Sequence, residues 1–363
     1  MAESTGNRNG GSEMTSERER TVLVVGGAGY VGNVLVRRLL DEGLAVRVLD
    51  GLIFDHGAAI APLLEHPRFT LITGDLRDPA TVDAALEGAT DVALLAGLVG
   101  DPITKTYPEL SNSINLDGCT AVIEALDGRG IDRLVFTSTC SNYGLRTSDE
   151  PATEESDLAP VSLYAEHKVE IERRILAAAE SGVDYTPTVL RISTAYGLSP
   201  RMRFDLTISE FTRTLAAGEE LIVYDADTWR PYCHVADISK AVLTVLDAEA
   251  SAVRGEVFNV GHTDENYTKR MVVDVVQEAI GGTGRVTFEE GGRDPRNYRV
   301  DFGKIREKLG YEPDFRVPMS VSAVAQAVQA GAFVDYPERL GFYTNHTISP
   351  RAFDAHPAEE GGG

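Results

Sequence analysis

Two side chains that handle protons, Tyr164 and Lys168, stand four residues apart in Tyr164-Ala165-Glu166-His167-Lys168, downstream of a hydroxyl-rich run, Thr137-Ser138-Thr139-Cys140-Ser141-Asn142-Tyr143-Gly144. On a helix, residues i and i+4 share a face. A phenol and an ammonium on that face can exchange a proton with a substrate hydroxyl, and a hydroxyl from the upstream run can complete the group. The spacing alone identifies nothing, because Tyr-x-x-x-Lys arises by chance in chains of this length. Its weight comes from the amino-terminal end of the chain.

There the β-branched run Thr21-Val22-Leu23-Val24-Val25 passes directly into Gly26-Gly27-Ala28-Gly29-Tyr30-Val31-Gly32, which predicts a buried strand turning into a helix. The helix is expected over 30–42, with Val31, Val34, Leu35, Leu39 and Leu40 at helical spacing and Gly43 as its stop. A second strand, Ala45-Val46-Arg47-Val48-Leu49, ends on Asp50. Gly26, Gly29 and Gly32 would permit a tight turn, close approach of backbone to a pyrophosphate, and close helix-to-strand packing. The pyrophosphate would sit on the unpaired N–H groups of the helix start, beside Tyr30 and Val31. Asp50 would accept bonds from ribose hydroxyls. No arginine directly follows it, which favours NAD over NADP.

Composition narrows the field. The chain has 363 residues, 43% of them hydrophobic, enough for one large or two modest domains with a full core. Asp and Glu outnumber Lys and Arg by 56 to 34, for a net charge of −22. So acidic a surface repels nucleic acid and anionic membrane, and a negatively charged substrate would need a local basic pocket. No apolar stretch approaches a membrane span, and no secretory signal opens the sequence. Cys119, Cys140 and Cys233 are isolated and the seven histidines lack ligand spacing. Neither a disulfide framework nor a metal site is expected, and a reducing cytoplasm is.

Strand-like and helix-like segments alternate from residue 21 to about 191, within an expected NAD-binding domain of 21–194, with strands expected at 69–73, 91–95, 133–137 and 185–191 and helices at 80–86, 110–126 and 164–180. This alternation specifies an α/β fold, a doubly wound parallel sheet of Rossmann type that binds the dinucleotide. Over 195–336 the pattern loosens into a smaller mixed α/β lobe that would hold the substrate, although main-sheet elements can recur there. Residues 1–20 read as a disordered leader and 337–363 as an irregular strap.

Together these features resemble the extended short-chain dehydrogenases/reductases, specifically the nucleotide-sugar epimerase/dehydratase family. The likeness runs from about residue 21 to 330. Gly26, Gly29, Gly32 and Asp50 fit the cofactor fingerprint, Gly74-Asp75-Leu76 the adenine-contacting turn, and Leu95-Ala96-Gly97 the segment beside the cofactor. Asn115-x-x-Gly118-x-Thr120 fits a helix motif with one inserted residue. Residues 137–144 match the Ser-Ser-x-x-x-Tyr-Gly loop, which makes Thr139 the catalytic hydroxyl. The resemblance implies that Tyr164, as phenolate, moves the sugar hydroxyl proton, that Lys168 and the cationic cofactor ring lower the phenol pKa, that Lys168 also holds the nicotinamide ribose, and that Thr139 bonds the reacting oxygen. It also implies that Arg230, in Arg230-Pro231-Tyr232-Cys233-His234, and Arg296 meet the sugar nucleotide's diphosphate. Arg201 and Arg203 read equally as further anion contacts or as solvated surface charges. A homodimer paired through the helices at 110–126 and 164–180 follows from the resemblance alone.

The reaction turns on the loop. Members that dehydrate across C5 and C6, or that decarboxylate a sugar acid, resemble one another in carrying Glu two residues before the loop tyrosine. Here Cys140 and Ser141 stand in the acidic positions, so both reactions are disfavoured. Members that epimerise at C3 or C5 carry a cysteine one place later than Cys140, which is instead expected to be a small wall of the substrate pocket, with Ser141 and Thr194 beside it. The expectation is an NAD-dependent nucleotide-sugar 4-epimerase that passes through a 4-keto sugar. A ketoreductase using NAD(P)H remains open, and so does a dinucleotide-binding protein without catalysis. Thr194 stands where the family's 4-epimerases commonly have Asn.

Overall fold

A computed structural model describes residues 19–146, 150–282, 284–292 and 296–349. Most of the expected leader, residues 1–18, and the end of the expected strap, 350–363, lie outside these residues. Arg20, counted with the leader, is ordered by ion pairs to Asp91 and Asp247. No described helix is long and apolar enough to cross a membrane.

Seven parallel strands form the main sheet. They are β1 (Thr21–Val25), β2 (Ala45–Asp50), β3 (Phe69–Thr73), β4 (Asp91–Leu94), β5 (Arg133–Thr139), β6 (Thr186–Ile192) and β10 (Val257–Val260), in the order β10-β6-β5-β4-β1-β2-β3. Strand parity divides the core into two layers. Val22 and Val24 pack with the helices Tyr30–Asp41 and Val235–Asp247, whereas Leu23 and Val25 pack with the helices Pro79–Leu86, Cys119–Glu124 and Leu163–Ser181. Each such fully buried aliphatic contributes roughly 1.5–3 kcal/mol. With both faces covered, the strand ends are left to carry chemistry.

The seventh strand comes from late in the chain, where Val257–Val260 pairs in register with 189–192 of β6. The remaining strands are β7 (Thr194–Tyr196), β8 (Leu221–Tyr224), β9 (Trp229–His234), β11 (Asn266–Thr268) and β12 (Val286–Glu289). They make two small sheets, β11-β9-β7 and β12-β8. With the helices Thr207–Ala216, Lys269–Ala279 and Val317–Gln329 they enclose a separate cluster around Tyr196, Phe211, Leu215, Val272 and Val321.

The helix expected at 110–126 is broken into Pro108–Ser111, a π-helical stretch Asn112–Gly118, and Cys119–Glu124. Within the π turn the Asn115 amide accepts from Leu98 N–H at 2.6 Å and donates to Leu98 C=O at 3.0 Å. The loop after β4 is thereby fixed to the helix. Such bulges concentrate at functional sites.

Candidate active site

The carboxyl ends of β1 to β6 open into one cleft of ≈ 1090 Å³, where ligands of doubly wound sheets bind. Its floor starts at the glycine turn. Gly26 has φ +86°, and a Cβ there would lie 2.8 Å from Ala96 N; a Cβ on Gly32 would lie 2.2 Å from Gly26 O. Side chains are therefore sterically excluded. The helix that follows has Gly29 as its N-cap, with no side-chain cap and no acid in its first turn. Its N–H groups and dipole face the cleft open to an anion.

Asp50, at the end of β2, accepts from Ala28 N–H and Leu52 N–H, each at 2.9 Å, and pairs with His56 Nε2 at 3.3 Å. Burial pushes its carboxyl up, but these bonds outweigh burial and hold it below the usual carboxylate range. Tyr30, Val31, Asp75, Leu76, Leu95, Ala96 and Gly97 line the same cleft. Asp75 is itself gripped by the Arg77 guanidinium, Nε to Oδ2 at 2.9 Å. A glycine cradle, a bare helix start and a fixed acid fit a dinucleotide's pyrophosphate and ribose.

The helix Leu163–Ser181 starts on Ser162, whose Oγ accepts from Ala165 N–H, and stops at Gly182 with φ +85°. This sets Tyr164 and Lys168 on its first turns, facing the end of β5. Lys168 Nζ donates to Thr137 C=O at 2.8 Å, and burial lowers its ammonium to about 8. Tyr164 is pushed up to about 12 by burial; Arg203, a hydrogen bond with Thr139 and Arg296 oppose the rise, and Asp101 adds to it. The expected depression of the phenol calls on the cationic cofactor ring as well as on Lys168. The ammonium lies 6.0 Å from the Tyr164 ring centroid, anchored to the Thr137 backbone instead.

Parity sorts the loop that follows. Thr137, Thr139 and Ser141 face the cleft, while Ser138, Cys140 and Asn142 turn behind it. Cys140, expected in the substrate pocket, is 1% exposed and donates its Sγ–H to Arg191 C=O at 3.2 Å. Strand alternation continued one residue past β5 gives this direction. Burial also raises the Cys140 thiol above its ordinary value, so it offers no thiolate.

At the cleft's other end, Arg296 donates to Ser141 Oγ at 3.1 Å and pairs with Asp101 Oδ2 at 3.4 Å. The Arg230 guanidinium lies over the Tyr298 ring, 5.5 Å from its centroid, and Tyr298 O–H meets Ser141 Oγ at 3.3 Å. Arg203 forks onto Asp205 at 2.9 and 2.6 Å. Burial would raise the Asp205 carboxyl, but Arg203 holds it at about 2. Arg201 and Arg203 are 2% and 6% exposed, so neither is a solvated surface charge. The cleft thus gathers Thr194 with Arg203, Arg230 and Arg296, four predicted contacts drawn from distant parts of the chain. It also brings in residues that sequence reasoning missed: Asp101, His56, Phe54, Tyr298 and Asn345. Asp101 carried a signal, as an acid at a helix start just past the cofactor-contacting loop, and so did Tyr298, in the segment Arg296-x-Tyr298 that resembles the family's carboxyl-terminal signature.

Comparison with known proteins accords with this layout. Residues 22–261 match the NAD dependent epimerase/dehydratase family. The chain belongs to that family. It is 28% identical over 312 residues to a UDP-glucose 4-epimerase of Lactobacillus helveticus, covering 80% of this chain and 92% of that protein. It is 32% identical over 302 residues to the low-salt glycan biosynthesis protein Agl12 of Haloferax volcanii, covering 81% and 94%. DesIV, the dTDP-glucose 4,6-dehydratase of Streptomyces venezuelae with NAD and TYD bound, matches in structure at TM-score 0.75 and 26% identity, over 90% of this chain and 100% of its own.

As a member of an NAD-dependent epimerase/dehydratase family, the protein is an enzyme and its cofactor is NAD. Gly26, Gly29 and Gly32 with the start of the helix Tyr30–Asp41 would hold the pyrophosphate, and Asp50 the adenosine ribose. The Asp50 carboxylate, already in place, disfavours a 2′-phosphate by charge.

Proposed function

We propose that the protein is a nucleotide-sugar 4-epimerase that works through a transient 4-keto sugar. The reading rests on one observation: Thr139, Tyr164 and Lys168 converge on the cofactor cleft, while the loop positions of the family's second acid are Cys140, turned inward, and Ser141, bonded to Arg296. Bound NAD, held by Gly26, Gly29, Gly32 and Asp50, would supply the hydride acceptor and donor for C4. As the phenolate, a form that the positive charges of Lys168 and of the nicotinamide ring of bound NAD would favour against the rise imposed by burial, Tyr164 takes the proton of the C4 hydroxyl and, as the phenol, gives it back. Thr139 bonds the same oxygen and holds it against the phenol. Lys168, anchored on Thr137, keeps a positive charge beside that proton path. Arg203, Arg230 and Arg296 form the local cationic pocket that a nucleoside diphosphate requires on a protein of net charge −22.

Tyr164→Phe is expected to lower kcat about 10²- to 10⁴-fold with binding of UDP unchanged. Full activity in that variant would sink the mechanism. Interconversion of UDP-glucose and UDP-galactose, or of their uronic acid or N-acetyl analogues, should proceed with no net absorbance change and no carbon-bound deuterium from D2O.

Asp101 supports a second reading. It is a cleft carboxylate whose Oδ1 is buried without a hydrogen-bond partner, and its charge reaches Tyr164. Were it the base at C5, the enzyme would be a dehydratase and deuterium would appear at that carbon. The resemblance adds the proposals of a cytoplasmic location and a homodimer; sedimentation of the purified protein at twice the chain mass checks the latter.

A further inference from the structure

Arg201 is the largest fully buried side chain among the described residues. Its Nη2 donates to Asn345 Oδ1 at 2.6 Å and to Thr344 C=O at 3.2 Å, its guanidinium lies 4.8 Å from the centroid of Phe54, and its Nε has no partner. Asp205 and Asp50 act on it only at longer range; no described carboxylate forms an ion pair with it. Buried guanidinium groups ordinarily face an anion. This one lines the cleft between two parts of the cofactor floor. Its own loop is tied to the start of the first helix, Ser199 Oγ donating to Tyr30 C=O at 2.8 Å and Tyr30 O–H to Gly197 C=O at 2.6 Å, while Phe54 belongs to the loop after Asp50.

The carboxyl-terminal strap holds the arginine there. Asn345 N–H donates to Asp205 at 3.0 Å, Asn345 Nδ2 to Val99 C=O at 3.3 Å, Phe204 N–H to Tyr343 C=O at 2.8 Å and Ser349 N–H to Ile53 C=O at 2.8 Å. The strap therefore stitches three cofactor-side loops together over the cleft. We infer that Arg201, latched by Asn345, is a clamp on the pyrophosphate of bound NAD, and that the strap retains the cofactor by holding this clamp in place. The inference rests on the cofactor and not on the epimerase reading. It would suit an enzyme that recycles NAD without releasing it.

The same guanidinium chemistry would also take the diphosphate of the nucleotide sugar, so the experiment separates the two sources. Full-length holoprotein is compared as wild type, Arg201→Gln, Arg201→Lys and Asn345→Ala. The readouts are the NAD extracted per chain, the rate of NAD release after dilution, and the affinity for UDP. Arg201→Gln is expected to speed NAD release and weaken NAD at least about tenfold, the worth of a charge-assisted bond, with UDP affinity unchanged. Asn345→Ala and Arg201→Lys, which keep the charge but loosen its aim, should shift release in the same direction by less. They carry the test if Arg201→Gln fails to fold by circular dichroism. NAD release within twofold of wild type in every folded variant overturns the proposal. A loss of UDP affinity with NAD unaffected assigns Arg201 to the substrate and overturns it equally.

Discussion

Two buried arginines ten residues apart mark two regions of one site. Below the catalytic loop, Arg191 forks onto Glu172 with contacts of 2.7 to 3.2 Å and donates to Tyr143 O–H, which in turn donates to Asn259. Ser138 and Asn142 complete the shell around Glu172. Burial would lower the Arg191 pKa, yet Glu172 outweighs it and the group ends above its ordinary value. Lining the cleft, Arg201 has amide and carbonyl partners but no carboxylate among the described residues, and burial lowers it to about 9. The layer beneath the catalytic loop is satisfied by the protein itself. The cleft around Arg201 holds a charge that a bound anion would complete.

Substitutions can break or sharpen this contrast. The largest effect is expected from Glu172→Ala, which strands Arg191 inside the core and should cost about 3–5 kcal/mol in urea unfolding, with or without NAD. If NAD rescued that loss, the layer around Arg191 would be part of the ligand site and the contrast would fail.

Lys168 comes next. Its folded pKa of about 8 lies below its unfolded value, so the fold carries the cost of a buried ammonium below pH 8 and sheds it as pH rises toward the unfolded pKa. Lys168→Met should stabilise the NAD-free protein at pH 7 by about 3 kcal/mol and abolish the rise in stability above pH 8. A destabilised variant would mean that the Thr137 bond outweighs the charge.

Arg201→Met should change NAD-free stability least, a gain of about 1 kcal/mol, because the lost bonds to the strap offset the relieved charge. A loss of several kcal/mol would make the arginine a brace like Arg191, and the two regions would cease to differ.

How much of this was legible in the sequence depends on range. Val22 to Gly32, Asp50 and the Tyr164–Lys168 pair announce themselves because strand parity, helical spacing and glycine sterics are local. Cys140 was within reach of the same parity, but the short turn after β5 obscured which side it took. The strands β7 and β11 have three residues each, too short to show a period, and β9 is buried along nearly its whole length and interrupted by Pro231, so the small sheet behind Arg230 was hidden. Asp101 and Asn345 reach the cleft through loops whose course only tertiary packing decides. Arg201 is visible as a residue in sequence, yet its burial depends on a strap more than 140 positions away.

The late arrival of β10 has a consequence for synthesis. Between the end of β6 at residue 192 and the start of β10 at 257, a ribosome takes roughly 3–13 s at ordinary elongation rates. Throughout that interval the nascent chain holds a nearly complete sheet whose β6 edge offers unpaired N–H and C=O groups beside an apolar face. A message truncated within this window should yield a product prone to join other chains edge to edge, although every cofactor glycine and the Tyr164–Lys168 pair are already present.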